Sequence, residues 1–471
     1  MYSSVCTFWG PFLFLMHAAA RDGGIAVTAC TGPNVTAIPI ALSESDMQRS
    51  HRCAAGAHVV FIGTTGLASM VMRGELTHSV LNQTFARHGA HSSYIMVTSP
   101  SNTTTFSTMI EAHFDSIGRP SACVILKYSV AWVGAACRRR GALVLVDSID
   151  NHRAYSQATL KNEHYRAMDA IIVQTDAHAA MVAAWGHIAV VLPHPHGNLG
   201  GWSVADSVRP HVRGVGFVVQ DSKNMPKGGD MRMLFLACCR ANTTLYSVTS
   251  RSTGLVIRPF LYNCTALENA SNASSSPGSS PSAAIRFESE SMLARDSSCR
   301  RYRHGHVHAN RSAAFHSKEP PDPTHQRLYY DSPRLLDTID VGLVWRPGHQ
   351  HGGNIAIGNR PPTRMHWWWS HGIPVIGYPM QAYLDAARRA GYPSDLLNLT
   401  STEHVEHALH RIASVQERTC LQRVAAYGAR ISSPWHSSLE LLGAICAVGE
   451  RCGAPLKLAR ATGDHRAGDI A

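Results

Sequence analysis

The chain has 471 residues, 43 Lys and Arg against 32 Asp and Glu, a formal charge of +11 and a pI near 9.2. That length holds two full domains and an insertion, each domain able to bury its own core. The positive charge is mostly scattered Arg, without zinc-finger spacing or a strand of interleaved basic and aromatic residues, which argues against a nucleic-acid partner and for a small anionic ligand.

Phe8 to Met16 is an apolar run followed by Ala18, Ala19 and Ala20. It is too short for a bilayer span of about 20 residues, and the alanines form a small-residue cleavage region. Residues 1–20 are expected to be a signal peptide or, since no positive charge precedes the run, a short uncleaved anchor. Nine of the fifteen asparagines begin Asn-x-Ser/Thr sequons, where random placement gives about two. Entry into an oligosaccharide-adding lumen follows, in the endoplasmic reticulum or Golgi, with secretion beyond it open. The acceptors expected outside a low-complexity insertion are Asn34, Asn82, Asn102, Asn242, Asn263 and Asn398; Asn269, Asn272 and Asn310 fall within it. The twelve cysteines show no metal-type spacing. Cys30 with Cys53 and Cys446 with Cys452 suit bridges in an oxidising lumen, while Cys238 and Cys239 read as small apolar surface of a helix.

Residues 21–202 are expected to form a first Rossmann-like domain. Apolar runs at His58–Ile62, Ser93–Val97, Ala122–Leu126, Ala142–Val146, Ala170–Val173 and Ile188–Leu192 alternate with helical patterns such as Ala177–Trp185, the signature of a parallel sheet. Gly63, Thr64, Thr65 and Gly66 follow the first strand without dinucleotide-fingerprint spacing, as an acceptor-side loop or a structural turn. Three polar groups lie at later strand ends: Asp147, Asp150, Asn151 and His152; Thr175, Asp176 and His178; and His194 and His196. Ligands of open α/β sheets bind at those ends. Asp150 or His152 is the expected base or acceptor contact, and His194 and His196 the cleft lining. No third ligand joins the HPH pair, so no metal is expected.

Residues 203–214 read as a hinge and 215–450 as a second α/β domain. Val215 to Ala237 reads as strand, basic loop with Lys223 and Lys227, and helix. Residues 266–326, rich in Ser, Pro, Arg and His, bury too little apolar surface to offset their ordering and are expected to be a disordered insertion; the alternating His304, His306 and His308 read as part of that tract. Asp340–Trp345 is a strand, followed by a glycine-rich loop containing Arg346. Pro361 and Pro362 suit a first helical turn, Thr363 and Arg364 provide a hydroxyl, free amides and a fixed charge for a phosphate, and Ile373–Tyr378 returns as a strand. Thr402–Ala426 is helical, and residues 451–471 read as a disordered tail.

The segment RPPTRMHWWWSHGIPVIGYP resembles the donor-binding half of GT-B glycosyltransferases, of the family 1/4-like kind, and VGFVVQDSKNMPKGGDMRMLFLA is similar to the strand, basic loop and helix that open it. The resemblance implies two Rossmann-like domains facing a cleft, a UDP- or GDP-linked sugar as co-substrate, and no cofactor. It places the donor diphosphate at Thr363 and Lys227, with Phe217 where the family has arginine, so that Lys223, Arg346 or Arg364 supplies the second charge. The family's two glutamates correspond to Asn359 and Trp367. It further implies that a terminal helix, here Ser437–Val448, crosses back to the first domain. The function implied is metal-independent hexosyl transfer to a hydroxyl of a glycan, glycoprotein or lipid in the secretory pathway, with membrane contact only through an N-terminal anchor. The alternative is an inactive lumenal carbohydrate-binding or scaffold protein with the same fold.

Overall fold

The computed structural model describes residues 56–64, 71–86, 90–97, 103–127, 131–148, 165, 168–196, 209–218, 226, 228–251, 254–260, 262–273, 337–345 and 361–452. The first sheet contains β1 (His58–Thr64), β2 (His91–Val97), β3 (Ala122–Leu126), β4 (Leu143–Asp147), β5 (Ala170–Val173) and β6 (Ala189–Val191), all parallel, in the order β2-β1-β3-β4-β5-β6. The expected strands Ala122–Leu126 and Ala170–Val173 coincide with β3 and β5, and the ends of the other four move by no more than two residues. Such runs are legible because a parallel strand is covered on both faces and stays apolar throughout. Cys123 and Ile125 of β3 enter one core and Ala122, Val124 and Leu126 the other, as the two-residue period of a strand requires.

The faces are covered by α1 (Leu76–Val80, between π-helical turns at Val71–Glu75 and Leu81–Phe85), α2 (Thr103–Ile117), α3 (Ala131–Arg139) and α4 (Asp176–Ala184). Thr175 caps α4 by accepting the His178 N–H at 3.1 Å.

The second sheet runs β11-β10-β7-β8-β9, from β7 (Gly214–Val218), β8 (Thr244–Arg251), β9 (Gly254–Pro259), β10 (Val341–Val344) and β11 (Val375–Gly377). It is parallel except for the β8–β9 hairpin. Its helices are α5 (Gly229–Arg240), α6 (Cys264–Ala273), α7 (Thr363–Trp369), α8 (Gln381–Ala390), α9 (Thr402–Ala413), α10 (Val415–Ile431) and α11 (Pro434–Arg451). The single helix expected over Thr402–Ala426 is α9 and α10, divided at Ser414, whose extended ψ of 122° breaks one helix while its side chain caps the next.

Two tryptophans of α7 organise this domain. Gly216 of β7 and Gly342 of β10 are register partners, and a Cβ at either would stand 2.5 or 2.3 Å from the Trp368 indole. The paired glycines make a slot in the sheet that only a missing side chain leaves open. Trp369 lies against Gly428 of α10, where a Cβ would meet its ring at 2.3 Å.

Three expectations are corrected. The insertion does not begin at 266: residues Cys264–Ala273 are helix α6, held by buried Leu267 and by the Cys239–Cys264 disulfide to α5. Cys239 is therefore bridged rather than plain helix surface, while Cys238 is free and buried. Cys446 is bridged but not to Cys452, which is free and exposed; six residues apart, the two lie on different sides of α11, whose 3.6-residue turn forbids the contact. Cys30, Cys53, residues 274–336 and the tail from 453 lie outside the described residues.

The chain then returns to its first half. Leu439, Leu441, Leu442, Ile445 and Val448 of α11 enter the core on one face of the first sheet, so a helix from the end of the sequence completes the domain built at its beginning.

Candidate functional site at the domain junction

Helix α7 touches the carboxyl edges of both sheets. Arg364, only 4% exposed, donates through Nη1 to the Trp345 carbonyl at the end of β10, at 2.5 Å, and its guanidinium carbon is 5.4 Å from the Phe217 ring centroid. Trp345 donates its indole N–H to Asp230 Oδ2 at 3.1 Å, in the first turn of α5, and meets Tyr378 edge-on with centroids 5.2 Å apart. Two residues beyond Arg364, His366 Nδ1 donates to the His194 carbonyl at 2.8 Å, just past the end of β6. Thr363, half-buried, opens the helix after Pro362. Before α5, Gly228 has φ 54°, and among the described residues nothing lies within 4 Å of a Cβ on Gly228 or Gly229.

The first sheet's edge is held by charge. Arg73 and Asp147, 1% and 0% exposed, pair at 2.6 Å between Nε and Oδ2. Arg73 also donates to the carbonyls of Leu192 (2.6 Å) and Pro193 (3.1 Å), to Gln174 Oε1 (3.4 Å) and to Ser437 Oγ of α11 (3.1 Å). One guanidinium thus joins the ends of β4, β5 and β6 to the returning helix. Lys127, beside it, adopts a left-handed backbone with φ 68° and donates its N–H to the Asp147 carbonyl at 2.7 Å.

His194 and His196 are buried at this junction. His194 Nδ1 donates to the Pro195 carbonyl at 3.0 Å, and His196 donates from Nε2 to the Ala429 carbonyl at 2.8 Å and from its backbone to the Ser432 carbonyl at 2.9 Å. The His196 ring and the His194 carbonyl, which accepts from His366, fasten this segment to the second domain. Gly63 and Thr64 end β1 opposite Met96 and Val97 of β2. Asp150, His152, Lys223, Lys227, Arg346 and Thr65 lie outside the described residues, as do Asn34 and Asn102.

Burial keeps His366 and His436 neutral. It pushes His366 down to about 3, against the raising effect of the His194 carbonyl, and His436 to about 4, with Arg430 and Arg389 adding to the effect. Burial raises Glu440 to about 7, opposed by Arg389 and Arg73. Sequence reasoning passed over Arg73, Lys127, His366 and Glu440. A lone Arg in the apolar stretch before Leu76 was the one local signal; the others acquire meaning only from neighbours distant in the chain. Among the described residues no group of three His, Cys, Asp or Glu is placed to hold a metal, and no helix is long and apolar enough to cross a membrane.

No family model and no curated protein matches the sequence. Among solved structures, Anabaena HepE in complex with UDP and glucose is 9% identical with a TM-score of 0.40, covering 84% of this chain and 98% of its own. The trehalose-6-phosphate protein from E. coli bound with UDP-2-fluoro glucose is 12% identical with a TM-score of 0.39, covering 87% and 97%. Arabidopsis thaliana UGT89C1 complexed with UDP is 11% identical with a TM-score of 0.36, covering 83% and 100%. Likenesses of this size do not by themselves assign an activity, and the architecture rests on the strand orders and the junction. Two Rossmann-like domains that meet along their carboxyl edges, with a last helix crossing back to the first, make up the GT-B type of fold.

Proposed function

We propose that this chain is a glycosyltransferase that moves a sugar from a UDP- or GDP-linked donor to a hydroxyl of a glycan, glycoprotein or lipid in the secretory pathway, by metal-independent hexosyl transfer. The observation that carries the reading is α7, whose first turn lies against the carboxyl edge of the second sheet while its next residues reach the first. Open α/β sheets bind ligands at that edge. On this reading the diphosphate rests at Thr363 and Lys227, with Lys223 and Arg346 in the neighbouring loops. Arg364 supplies a cation beside Phe217, the position at which the family carries arginine, and acts from within the wall while bonded to the Trp345 carbonyl.

The chemistry breaks the bond between the sugar's C1 and the diphosphate oxygen. Negative charge grows on that oxygen, and cations fixed before the reaction stabilise it without reorganising. Positioning the acceptor hydroxyl near C1 lowers the barrier further, and its proton passes to Asp150 or His152 acting as base. The sequons and the apolar N-terminal run support the lumenal location.

The inactive carbohydrate-binding reading is favoured by one feature: Arg364 is already committed to a backbone carbonyl, and Phe217 occupies the arginine position. Calorimetry and thermal shift against UDP, GDP, CMP and their sugars separate the two. Ligand at 100 times Kd adds about 2.7 kcal/mol of stability. Selective binding of one nucleotide, weakened in Lys227→Ala and Thr363→Val and accompanied by product transfer, supports the transferase. Binding without transfer to any hydroxyl acceptor favours the inactive protein, and silence across the panel removes the donor site.

A further inference from the structure

Asn82 on one side, and Asn242 and Asn263 on the other, share the same acceptor motif, yet the fold uses their amides in opposite ways. Asn82 lies half-buried in the π-helical turn Leu81–Phe85. Its Oδ1 accepts the Ser92 N–H at 2.8 Å, and its Nδ2 donates to the Ser92 carbonyl at 3.1 Å and lies 3.4 Å from His78 Nδ1. This clasp fixes the start of β2, and it holds Nδ2 against the Ser92 carbonyl and the His78 ring. Asn242 is exposed, just past the end of α5, in a left-handed conformation with φ 50°. Asn263 is exposed, just before α6, its Oδ1 accepting the Ala266 N–H at 3.1 Å. Among the described residues no hydrogen bond engages Nδ2 of either.

Asn242 and Asn263 are also brought together. The Cys239–Cys264 disulfide, its Cα atoms 5.6 Å apart, ties Cys264, next to Asn263, to Cys239, whose carbonyl accepts the Asn242 N–H at 3.1 Å, and Tyr262 Oη donates to the Thr243 carbonyl at 3.2 Å. Both stand where β8 begins and β9 ends, the edge of the second sheet opposite the one that meets the first domain.

We propose that Asn242 and Asn263 carry N-linked glycans as a neighbouring pair facing away from the junction, and that Asn82 is a structural amide that stays unmodified. The proposal rests on the secretory reading. In the transfer, Nδ2 attacks C1 of an oligosaccharide on a lipid diphosphate; the C1–O bond breaks, the lipid diphosphate leaves with the electron pair, and Nδ2 gives up one proton. Asn82 would then carry a sugar in place of one Nδ2 hydrogen, where the Ser92 carbonyl or the His78 ring now stands. A glycan attached before folding would keep the clasp from closing, so folded molecules lack it.

The test is expression of the full chain in mammalian secretory cells, deglycosylation of the folded product by peptide N-glycosidase in heavy-oxygen water, and mass spectrometry of each sequon. Labelled aspartate is expected at positions 242 and 263 and unlabelled asparagine at 82. Thr244→Ala and Thr265→Ala should each remove one glycan step in gel mobility. Thr84→Ala, which deletes the motif but leaves Asn82 in place, should leave mobility unchanged, whereas Asn82→Asp should lower Tm. Label at 82 in folded protein, or none at 242 and 263 while other sequons are labelled, overturns the proposal and leaves the secretory reading standing. Absence of label at every sequon overturns both.

Discussion

The carboxyl edges of the two sheets are closed by different physics. At the first, Arg73 and Asp147 form a fully buried ion pair that gathers three strand ends and α11. At the second, shape dominates: Arg364 lies over an aromatic ring against a backbone carbonyl, and behind it Trp368 of the same helix fills a slot in the sheet between paired glycines. A charge-held edge is intolerant of losing one partner, because the other is stranded without water. A shape-held edge is intolerant of gaining volume, because close-packed neighbours cannot yield.

The largest effect should come from breaking the ion pair. Asp147→Ala is expected to cost about 3–5 kcal/mol in denaturant unfolding. Asp147→Leu combined with Arg73→Met should recover much of the loss, since an apolar pair strands no charge; a double variant as weak as the single would show that the edge depends on geometry instead.

In the other sheet Gly342→Ala should cost about 1–3 kcal/mol by forcing a methyl into the Trp368 indole. Paired with Trp368→Leu, the cost should be smaller than the sum of the two single losses. Strict additivity would remove the slot from the account.

The pH response sharpens the comparison further. His58, His366 and His436 have folded pKa values of about 4, 3 and 4, each below the ordinary 6.5 chiefly through burial. Their contribution to stability is complete above pH 6.5 and is lost as pH falls from there through the folded values, because the unfolded chain binds the protons first. Glu440 runs the other way: raised by burial from 4.5 to about 7, its contribution is complete below 4.5 and is lost as pH rises through 7. Acid denaturation should therefore begin below pH 6.5. His366→Gln should flatten the slope of stability between pH 6 and 4 by up to about 1.4 kcal/mol per pH unit, and an unchanged slope would place the titration elsewhere.

The smallest effect is expected at the rim. Arg388 meets Asp176 across the junction at 3.3 Å with both side chains largely exposed, and Arg388→Ala should change stability by less than about 1 kcal/mol.

Much of the architecture was legible in local pattern. Continuous apolar runs announced the strands of the first sheet, and Val341–Val344, Thr363–Trp369 and Val375–Gly377 fall inside the strand, helix and strand read from Asp340 to Tyr378. The β8–β9 hairpin was missed because Ser and Thr interrupt β8 and the apolar part of β9 is only Leu255 to Ile257, and α6 because Leu267 is its one buried residue among those described and its anchor is a cysteine in another helix. In the candidate site, the helix start read from Pro-Pro-Thr-Arg is where α7 begins, at Thr363. The burial of Arg364, and the use of His194 and His196 as ties between domains, could not be read there, since solvent exposure belongs to the assembled fold.

The sequence by itself determined two α/β halves, their strand positions and the chemistry offered by each loop, because hydrophobic period and turn residues act over a few neighbours. Only the tertiary structure decided which polar groups are spent on the fold and which remain for function. Arg73 and Asp147, Asn82 and Ser92, and His366 and the His194 carbonyl are separated in the chain and joined in space, and the penalty for burying a polar group alone is what makes each pairing obligatory.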